Sequence, residues 1–463
     1  MKTSLINITI MKKLLKLAVV LFTTASFAQA GHIMQGVGAV NMSMGGASTA
    51  QPLDISGALQ WNPATISVFD NKILNFDIGA FFSSPELSSS LPANMMWQGS
   101  PAVSGVTKDD RGVSPMPALA MVWGEEDSKH TFGVSAFGIS GFGVTFPQET
   151  SLPADINGNP NPSWNPNDSN PINFPQNMNG FGHVESDYML LQVGLAWAYE
   201  ISDNFSIGIQ PTINYAALEL APNPISSPSP TKGYPVSDKA SAIGYGAQFG
   251  MFYNSASGFK LGASYKTAQT FDDFEFKNTY LDGSAAPDAT FQMDYPAILS
   301  FGAGYSNETI DFAIDYRMVD YENTEGFEAK GWTQTGSVQG FGWKNIDIVS
   351  VGFQYKGIEK LPLRIGYTYS SNPIDEELAF YSIPATAVIA NAFQLGFGYH
   401  FNDNFTLNGV YHHGASDGKT EGQLMNPMMA SASNPYGAIP GTKVGYEMTT
   451  DMIMLGLTYT FSK

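Results

Sequence analysis

Few residues of this chain could carry binding chemistry, and the best candidates are cations set singly in strand-like segments. Lys266, Arg317 and Arg364 fall, by alternation along their segments, on the small and polar face. A cation buried on such a face could hold a carboxylate by a charge-assisted hydrogen bond. Acids on the same faces, such as Asp311 and Asp315, could pair with these cations instead. The sequence leaves both interpretations open.

The remaining residue types form no catalytic or metal-binding pattern. Cysteine is absent, which excludes thiol catalysis, disulfides and thiolate metal sites. Two of the six histidines, His412 and His413, are adjacent, and neighbours on a strand point to opposite faces, so the pair cannot chelate one metal ion. The order of residues singles out no Ser, His and Asp set for hydrolysis. We therefore expect no enzymatic activity, no metal and no cofactor.

Composition points to a membrane environment. Charged residues make up 14% of the 463 residues, against roughly 25% in soluble globular proteins. Aromatic residues make up 13% and glycine numbers 47, yet the mean hydropathy is -0.09, so apolar residues are interleaved with polar ones. The formal net charge of -19 argues against nucleic acid as a partner.

Residues 1–30 have the features of a secretory signal peptide. Met11-Lys12-Lys13 supplies a positive start, an apolar run follows over 14–22, and Ala28-Gln29-Ala30 is a small-x-small cleavage site. Met1 and Met11 are both possible starts. The apolar run is too short to span a bilayer, and no later stretch approaches about eighteen consecutive apolar residues, so the sequence predicts no transmembrane helix.

From residue 72 onward, large apolar residues alternate with small or polar ones, which is the period of a β-strand. In one segment Phe393, Leu395 and Phe397 alternate with Gln394 and Gly396. About fourteen such segments occur by this criterion. They centre near Phe76, Ala120, Val134, Val193, Ile209, Gly246, Gly262, Phe301, Phe312, Val351, Ile365, Leu395, Leu407 and Leu455.

Short polar turns alternate with long connections between these segments, which is typical of an outer-membrane barrel. In lipid every backbone N–H and C=O must be paired, so strands can cross a bilayer only as a closed sheet. We predict an all-β fold, a 14-stranded antiparallel transmembrane β-barrel over 72–463. The predicted location is the outer membrane of a Gram-negative bacterium, with both ends of the barrel on the periplasmic side.

Residues 31–71, between the predicted signal peptide and the first strand, differ in composition from the rest. The stretch from Gly36 to Asp70 is rich in Gly, Ala, Ser and Met, is nearly free of charge and contains Asn62-Pro63-Ala64. It lacks the period of a strand or of a long amphipathic helix. With an even number of strands, the first and last strands both have their free ends on the periplasmic side. The segment before the first strand therefore lies at that end of the barrel, and we expect it to enter the lumen as a small plug, here called the hatch.

The leader, the Gly-rich segment and the strand pattern together resemble the FadL/TodX (OMPP1) family of outer-membrane transporters for long-chain fatty acids and aromatic hydrocarbons. The matching residues are Gly36-Val37-Gly38, Met44-Gly45-Gly46-Ala47, Trp61-Asn62-Pro63-Ala64 and Phe69-Asp70. The resemblance implies an N-terminal hatch inside the barrel. It also implies a gating role for Asn62, Pro63 and Ala64.

A kink in the third strand, packed near Asn62-Pro63-Ala64 and opening sideways into the bilayer, is a further feature that the resemblance implies. The third strand-like segment runs from His130 to Phe146. Gly138, Gly141 and Gly143 would weaken its ladder and permit a bulge. These glycines could also simply make room for side chains of the hatch.

We expect passive uptake of hydrophobic molecules such as long-chain fatty acids. Capture between external loops would precede lumen binding beside the hatch, with release by a hatch change or by lateral opening at strand three. Methionines in two loops, among them Met95, Met96, Met425 and Met428, suit a promiscuous apolar capture site. A general porin for small polar solutes and, less favoured, a barrel-type enzyme remain alternatives. The expected partners are a hydrophobic ligand and outer-membrane lipid, and the expected state is a monomer.

Overall fold

The computed structural model describes residues 31–154 and 158–462, so the predicted signal peptide lies outside the described residues. Two short helices, α1 (Ala39–Ser43) and α2 (Ile55–Trp61), and a 3-10 turn at Pro63–Val68 precede the first strand. Further 3-10 turns occupy the long connections, at Pro171–Asn173, Gln176–Met178, Glu376–Ser382 and Pro427–Met429. No helix in these ranges is long and apolar enough to cross a membrane.

Strands make up most of the remaining chain. In order they are β1 (Lys72–Leu91), β2 (Val103–Lys108), β3 (Val113–Trp123), β4 (His130–Phe146), β5 (Val184–Ser202), β6 (Phe205–Ala221), β7 (Val236–Ser237), β8 (Ala240–Asn254), β9 (Phe259–Lys266), β10 (Thr270–Phe271), β11 (Phe274–Thr279), β12 (Ala285–Phe291), β13 (Ala297–Ser306), β14 (Ile310–Asp320), β15 (Ile346–Tyr355), β16 (Leu363–Ser370), β17 (Ile389–His400), β18 (Phe405–Ser416), β19 (Thr420–Gly422) and β20 (Lys443–Thr460).

The barrel is closed and antiparallel, as predicted. Each long strand pairs with its neighbour in chain order, and β1 pairs with β20 from Ile73–Thr460 to Ser90–Lys443, which closes the sheet. Among the described residues fourteen positions make up the wall, occupied by β1, β3–β6, β8, β9, β13–β18 and β20. The second position is shared, because β2 pairs with the outer half of β1 and β3 with its inner half. Each predicted strand centre lies in one of these fourteen strands.

Alternation along the strands separates an apolar outer face from a polar inner face. In β17, for example, Leu395 is 62% exposed, whereas its neighbour Gln394 is 1% exposed and faces the lumen. The large exposed side chains of the wall are the aliphatic and aromatic residues of the predicted apolar face. This arrangement suits lipid outside and a polar interior inside.

The connections alternate in length as predicted, which gives the barrel a short-turn end and a long-loop end. A short turn joins β5 to β6, and long connections include 147–183, 321–345 and 417–442. At the long-loop end β7, β11 and β12 form a separate small sheet. The first and last strands meet at the short-turn end, where Phe461 N–H donates to the carbonyl of Lys72 (2.9 Å).

The segment before β1 fills the lumen as the predicted hatch. All residues from 31 to 51 and from 54 to 67 are buried. Asp315 of β14 anchors the hatch, since one carboxylate oxygen accepts from the N–H groups of Ser48 (2.8 Å) and Thr49 (2.9 Å) and from the Thr49 hydroxyl (2.8 Å). Small residues allow this close approach: a Cβ on Gly366 of the wall would lie 2.2 Å from the backbone nitrogen of Gly45.

Candidate functional site

A cavity of about 1340 Å³ opens between the loops at the long-loop end. Its lining is mostly apolar and draws on several separate connections. The apolar lining residues include Leu91, Met95, Met96, Trp97, Ile172, Phe174, Phe181, Trp332, Phe380, Leu424, Met425 and Met428. The methionines predicted to suit a capture site therefore lie in one cavity, although they are more than 300 positions apart in the chain.

Three aromatic rings lie together in the lining of this cavity, those of Phe181, Trp332 and Phe380. The Phe380 ring lies 5.7 Å from that of Phe181 and 6.0 Å from that of Trp332, and Trp332 contacts Tyr381 at 5.2 Å. A second, smaller apolar pocket shares Phe181, Trp332 and Phe380 with the cavity and adds Tyr381. Apolar surface therefore continues from the cavity into this second pocket.

Deeper in the lumen, His32 of the hatch lies inside a cluster of five aromatic rings, here called the cage. The cage consists of Tyr188, Tyr295, Tyr321, Phe327 and Trp343, whose ring centroids lie 6.1, 5.8, 5.4, 4.7 and 5.9 Å from that of His32. The His32 Nδ1 atom lies 2.7 Å from the Tyr321 hydroxyl. Burial lowers the pKa of His32 to about 3, so the imidazole is neutral at physiological pH.

The connection between β14 and β15 links the cage to the cavity. Its residues Tyr321, Phe327 and Trp343 belong to the cage, and its residue Trp332 lines the cavity. Phe341 of the same connection packs against Phe327 (5.4 Å) and Trp343 (5.4 Å). One loop folded inward thus supplies aromatic surface at both depths.

Beside the cage, the wall has a break between its second and third positions. The β3–β4 ladder runs from Trp123–Phe132 to Ala118–Phe137, and the next backbone contact is from Asp110 N–H to the Thr145 carbonyl (2.9 Å). In the described chain, residues 111–117 and 138–144 form no ladder with each other. Pro115 and Pro117 have no N–H to offer a ladder there. We call this break the window.

The predicted irregularity in the third barrel strand, β4, lies at the window. The β4–β5 register shifts between Gly138 and Ser140, so Ile139 is an extra residue. The hatch covers the window from inside: Met34 N–H donates to the Ile139 carbonyl (3.0 Å), and Gly141 N–H donates to the His32 carbonyl (3.2 Å). These are main-chain groups of β4 that β3 leaves unused.

Arg111 crosses the outer edge of the window. Its guanidinium donates to the Ser186 carbonyl of β5 (2.7 Å) and pairs with the Asp187 carboxylate. It reaches β5 by passing over Gly143 of β4, where a Cβ would lie 1.5 Å from the guanidinium Nη1. Gly143 therefore makes room for Arg111, whereas the prediction gave it a role in a bulge or in accommodating the hatch.

Asn62, Pro63 and Ala64 lie apart from the window, toward the short-turn end. The Asn62 amide donates to the carbonyls of Thr49 (2.8 Å) and Met251 of β8 (3.0 Å), and its oxygen accepts from Ala64 N–H (3.1 Å). Pro63 begins the 3-10 turn. A Cβ on Gly250 would lie 2.0 Å from the Asn62 oxygen, so this part of the hatch is docked closely on β8. The predicted gating residues and the predicted kink therefore contact different parts of the wall.

The three predicted carboxylate-binding cations are all buried in the lumen, but their surroundings differ. Arg317 pairs with Asp315 (2.6 Å), donates to the Gly46 carbonyl (2.6 Å) and lies 3.7 Å from the centroid of Trp61, so it holds the hatch. Arg364 donates to the amide oxygens of Gln354 (2.6 Å) and Asn408 (3.2 Å).

Lys266 donates only to the Gln192 amide oxygen (3.2 Å) among the described residues and has no carboxylate within ion-pair distance there. Of the three, it is the cation with the fewest polar contacts. A carboxylate-binding role therefore stays a prediction, with Lys266 as the best placed of the three.

Sequence reasoning missed the cage and Arg111. His32 carries no local signal, because it is a single histidine in a segment without periodicity. Its five ring partners come from three parts of the chain, all far from residue 32: β5, the segment before β13 and the connection between β14 and β15. The described residues contain no cluster of three or more His, Asp or Glu side chains arranged to hold a metal ion.

Comparison with known proteins adds family information to this geometry. The family model described as outer membrane protein transport protein (OMPP1/FadL/TodX) matches residues 174–462. No curated protein matches the sequence.

Several solved structures are similar in fold. The toluene transporter TodX of Pseudomonas putida has a TM-score of 0.65 at 17% identity, covering 93% of this chain and 99% of TodX. A FadL homologue of Pseudomonas aeruginosa has a TM-score of 0.66 at 15% identity, covering 94% of this chain and 100% of the homologue. The toluene transporter TbuX of Ralstonia pickettii has a TM-score of 0.59 at 16% identity, covering 92% of this chain and 99% of TbuX.

Proposed function

We propose a route for a hydrophobic molecule through this chain, which belongs to the OMPP1/FadL/TodX family of outer membrane transport proteins. The family is one of transport channels and not of enzymes, and it resides in the Gram-negative outer membrane. The proposal concerns the steps of the route: capture in the external cavity, passage past the cage, and release sideways through the window into the bilayer.

Capture relies on the apolar lining of the external cavity. A hydrophobic molecule that leaves water for this surface gains roughly 25 cal/mol for each Å² of apolar area that becomes buried. The flexible thioethers of Met95, Met425 and Met428 adapt to ligands of different shape. Long-chain fatty acids and aromatic hydrocarbons both have enough apolar surface to bind in this way. For a fatty acid, we propose Lys266 as the partner of the carboxylate.

Lateral release is supported above all by one observation, the break in the β3–β4 ladder. A hydrophobic molecule that crossed the whole lumen would meet the polar inner wall and the hatch anchors at Asp315 and Arg317. The window instead interrupts the wall itself, whose outer face meets lipid. Its inner cover is the short hatch segment 32–34, which contacts β4 and, among the described residues, makes no hydrogen bond to Asp315 or Arg317. Release past Asn62, Pro63 and Ala64 toward the periplasm is the second possibility.

Deletion of Ile139 tests lateral release. Removing the extra residue would restore a regular β4–β5 ladder and straighten the strand beside the window. We expect uptake of radiolabelled toluene or oleate into cells that produce the variant to fall to near the level of cells without the protein. A folded barrel migrates differently in gel electrophoresis before and after heating. A variant whose migration is the same in both samples has lost its fold.

A matched control is available in the same barrel. The β5–β6 ladder also contains an extra residue, Ile201, next to a short turn and away from the window. Deleting Ile201 also removes one extra isoleucine from a strand, but at a position that does not border the window. This deletion should leave uptake intact. Normal uptake by a folded Ile139 deletion variant would contradict lateral release and favour the route past Asn62.

The porin alternative makes a different prediction. A general porin passes ions, so it would give a large, steady conductance in a planar bilayer, whereas a lumen filled by residues 31–67 should conduct little.

We further propose that outer-membrane lipid surrounds the apolar face. We expect a monomer, since the closed sheet leaves no strand edge for a partner.

A further inference from the structure

The occupant of the cage is itself an aromatic ring. The imidazole of His32 is neutral and planar, and five rings surround it at 4.7–6.1 Å between centroids. These separations are those of favourable aromatic pairs. The cage is therefore shaped for one small ring, because Phe142 and Phe341 close it behind Tyr188 and Phe327.

The cage also has polar atoms without partners. The Tyr188 hydroxyl and the Nε2 atom of His32 are buried and make no hydrogen bond among the described residues. The Tyr321 hydroxyl, in contrast, is used by His32 through Nδ1. Buried polar groups are usually paired, so a hydroxyl left over in an aromatic pocket marks a place for the polar group of another molecule.

We infer that His32 is an internal stand-in for the substrate, and that the cage binds a monocyclic aromatic compound carrying a hydroxyl or a ring nitrogen. This inference rests on the proposed uptake route and names its substrate class. The ring of the substrate replaces the imidazole in its contacts with the five cage rings. Its polar group takes the hydrogen bond of Tyr321 or that of Tyr188.

Several features distinguish this class from the alternatives. The five rings that form the cage carry no charge, so the cage offers no cation to a carboxylate. A saturated chain would lose the ring–ring geometry that the five side chains offer. An aromatic hydrocarbon keeps the ring contacts but leaves the Tyr321 and Tyr188 hydroxyls unpaired.

Displacement of His32 would also act on the window. The His32 carbonyl accepts from the Ser140 hydroxyl (2.7 Å) and from Gly141 N–H (3.2 Å), both at the irregular part of β4. A ligand that expels the imidazole therefore pulls on two of the contacts by which the hatch covers the window from inside.

Three probes of similar size separate the contribution of the hydroxyl group from that of the aromatic ring. p-Cresol and toluene differ by one hydroxyl, and toluene and methylcyclohexane differ in aromaticity. For the full-length protein, we expect the affinity measured by calorimetry to decrease in the order p-cresol, toluene, methylcyclohexane. Equal affinity for all three would overturn the cage inference while leaving hydrophobic uptake intact, whereas binding of none would overturn both.

Variants at the cage test the role of each residue. If His32 leaves the cage free one tenth of the time, His32→Ala should bind p-cresol about tenfold more tightly in calorimetry, because the internal competitor is gone. His32→Phe retains a ring in the cage and should show no gain. His400→Ala, at the short-turn end, is the matched control and should behave as the natural protein. An unchanged affinity in folded His32→Ala would contradict the inference.

Tyr188→Phe gives an independent measurement that does not depend on the hatch. Removing the unpaired hydroxyl should narrow the preference for p-cresol over toluene and keep the preference for toluene over methylcyclohexane. If the selectivity between p-cresol and toluene is unchanged in both Tyr188→Phe and Tyr321→Phe, the assignment of a polar substituent is wrong.

Discussion

At the scale of single residues, the buried charges of the lumen mainly hold the hatch. The predicted cation Arg317 pairs with Asp315, and this aspartate accepts hydrogen bonds from Ser48 and Thr49 of the hatch. Removing one partner of such a buried ion pair strongly destabilises the folded protein, because the other charge stays buried without a partner. Alternation located Arg317 and Asp315 on the inner face, but the hatch residues that Asp315 holds lie 267 and 266 positions away in sequence.

Asp54 makes the attachment of the hatch depend on pH. Its carboxylate caps α2 by accepting from Gly57 N–H (3.2 Å), and burial raises its pKa from 3.8 to about 6, with Arg364 acting in the opposite direction. Because the pKa in the docked state exceeds that of a solvated carboxyl, docking is favoured by protonation. That stabilisation is complete below about pH 4 and is lost as the pH rises to about 6, a change of roughly 3 kcal/mol.

We therefore expect the hatch amides of 54–62 to exchange hydrogen faster at pH 7.5 than at pH 4, after correction for the intrinsic rate. Asp54→Asn keeps a capping oxygen but does not titrate, so it should remove this dependence. An equal dependence in Asp54→Asn would assign the effect to another group, such as the nearby Asp77.

At the scale of elements, the window depends on a few side chains placed around one irregular strand. The break in the β3–β4 ladder is bounded below by the Ala118–Phe137 pair and above by Asp110 and Thr145. Inside, segment 32–34 takes the place of a strand. Outside, Arg111 bridges to β5. Glycine content pointed to β4, but only the register showed that the extra residue is Ile139.

Arg111 should stabilise the outer edge of the window. We expect Arg111→Met to lose the contacts with Ser186 and Asp187 and to increase hydrogen exchange of the β4 amides of 138–144, at a cost of about 1–3 kcal/mol to local stability. Gly143→Ala should have the same effect, because its Cβ would displace the guanidinium. Lys108→Met, at an exposed ion pair with Glu86, is the control and should leave β4 exchange unchanged. Unaltered exchange in both window variants would contradict the bridging role.

At the scale of the whole molecule, wall and hatch are separable in physical terms. The wall satisfies its own backbone groups through a closed ladder, from β1 round to β20. The hatch has little regular structure and depends on the wall for its contacts. The wall should therefore survive the loss of the hatch.

Removal of residues 31–71, with the leader retained, tests this separation. We expect a heat-stable barrel that shifts on gel electrophoresis and conducts ions steadily in a planar bilayer, because the polar inner wall is then open to water. The full-length protein is the control and should conduct little. A truncated barrel that folds but remains closed to ions would mean that the external loops, and not the hatch, seal the lumen.

The wall could be derived from the sequence alone. Alternation is a local property with a period of two residues, so strand number, apolar face and turn lengths could be read from neighbouring positions. The family was indicated by the resemblance of short motifs in the hatch. The tertiary structure decided the sites, because these join residues that local patterns cannot relate. His32 and Tyr321, for example, are 289 positions apart, and the window depends on which ladder groups stay unused. Such contacts arise only when the sheet closes around the hatch.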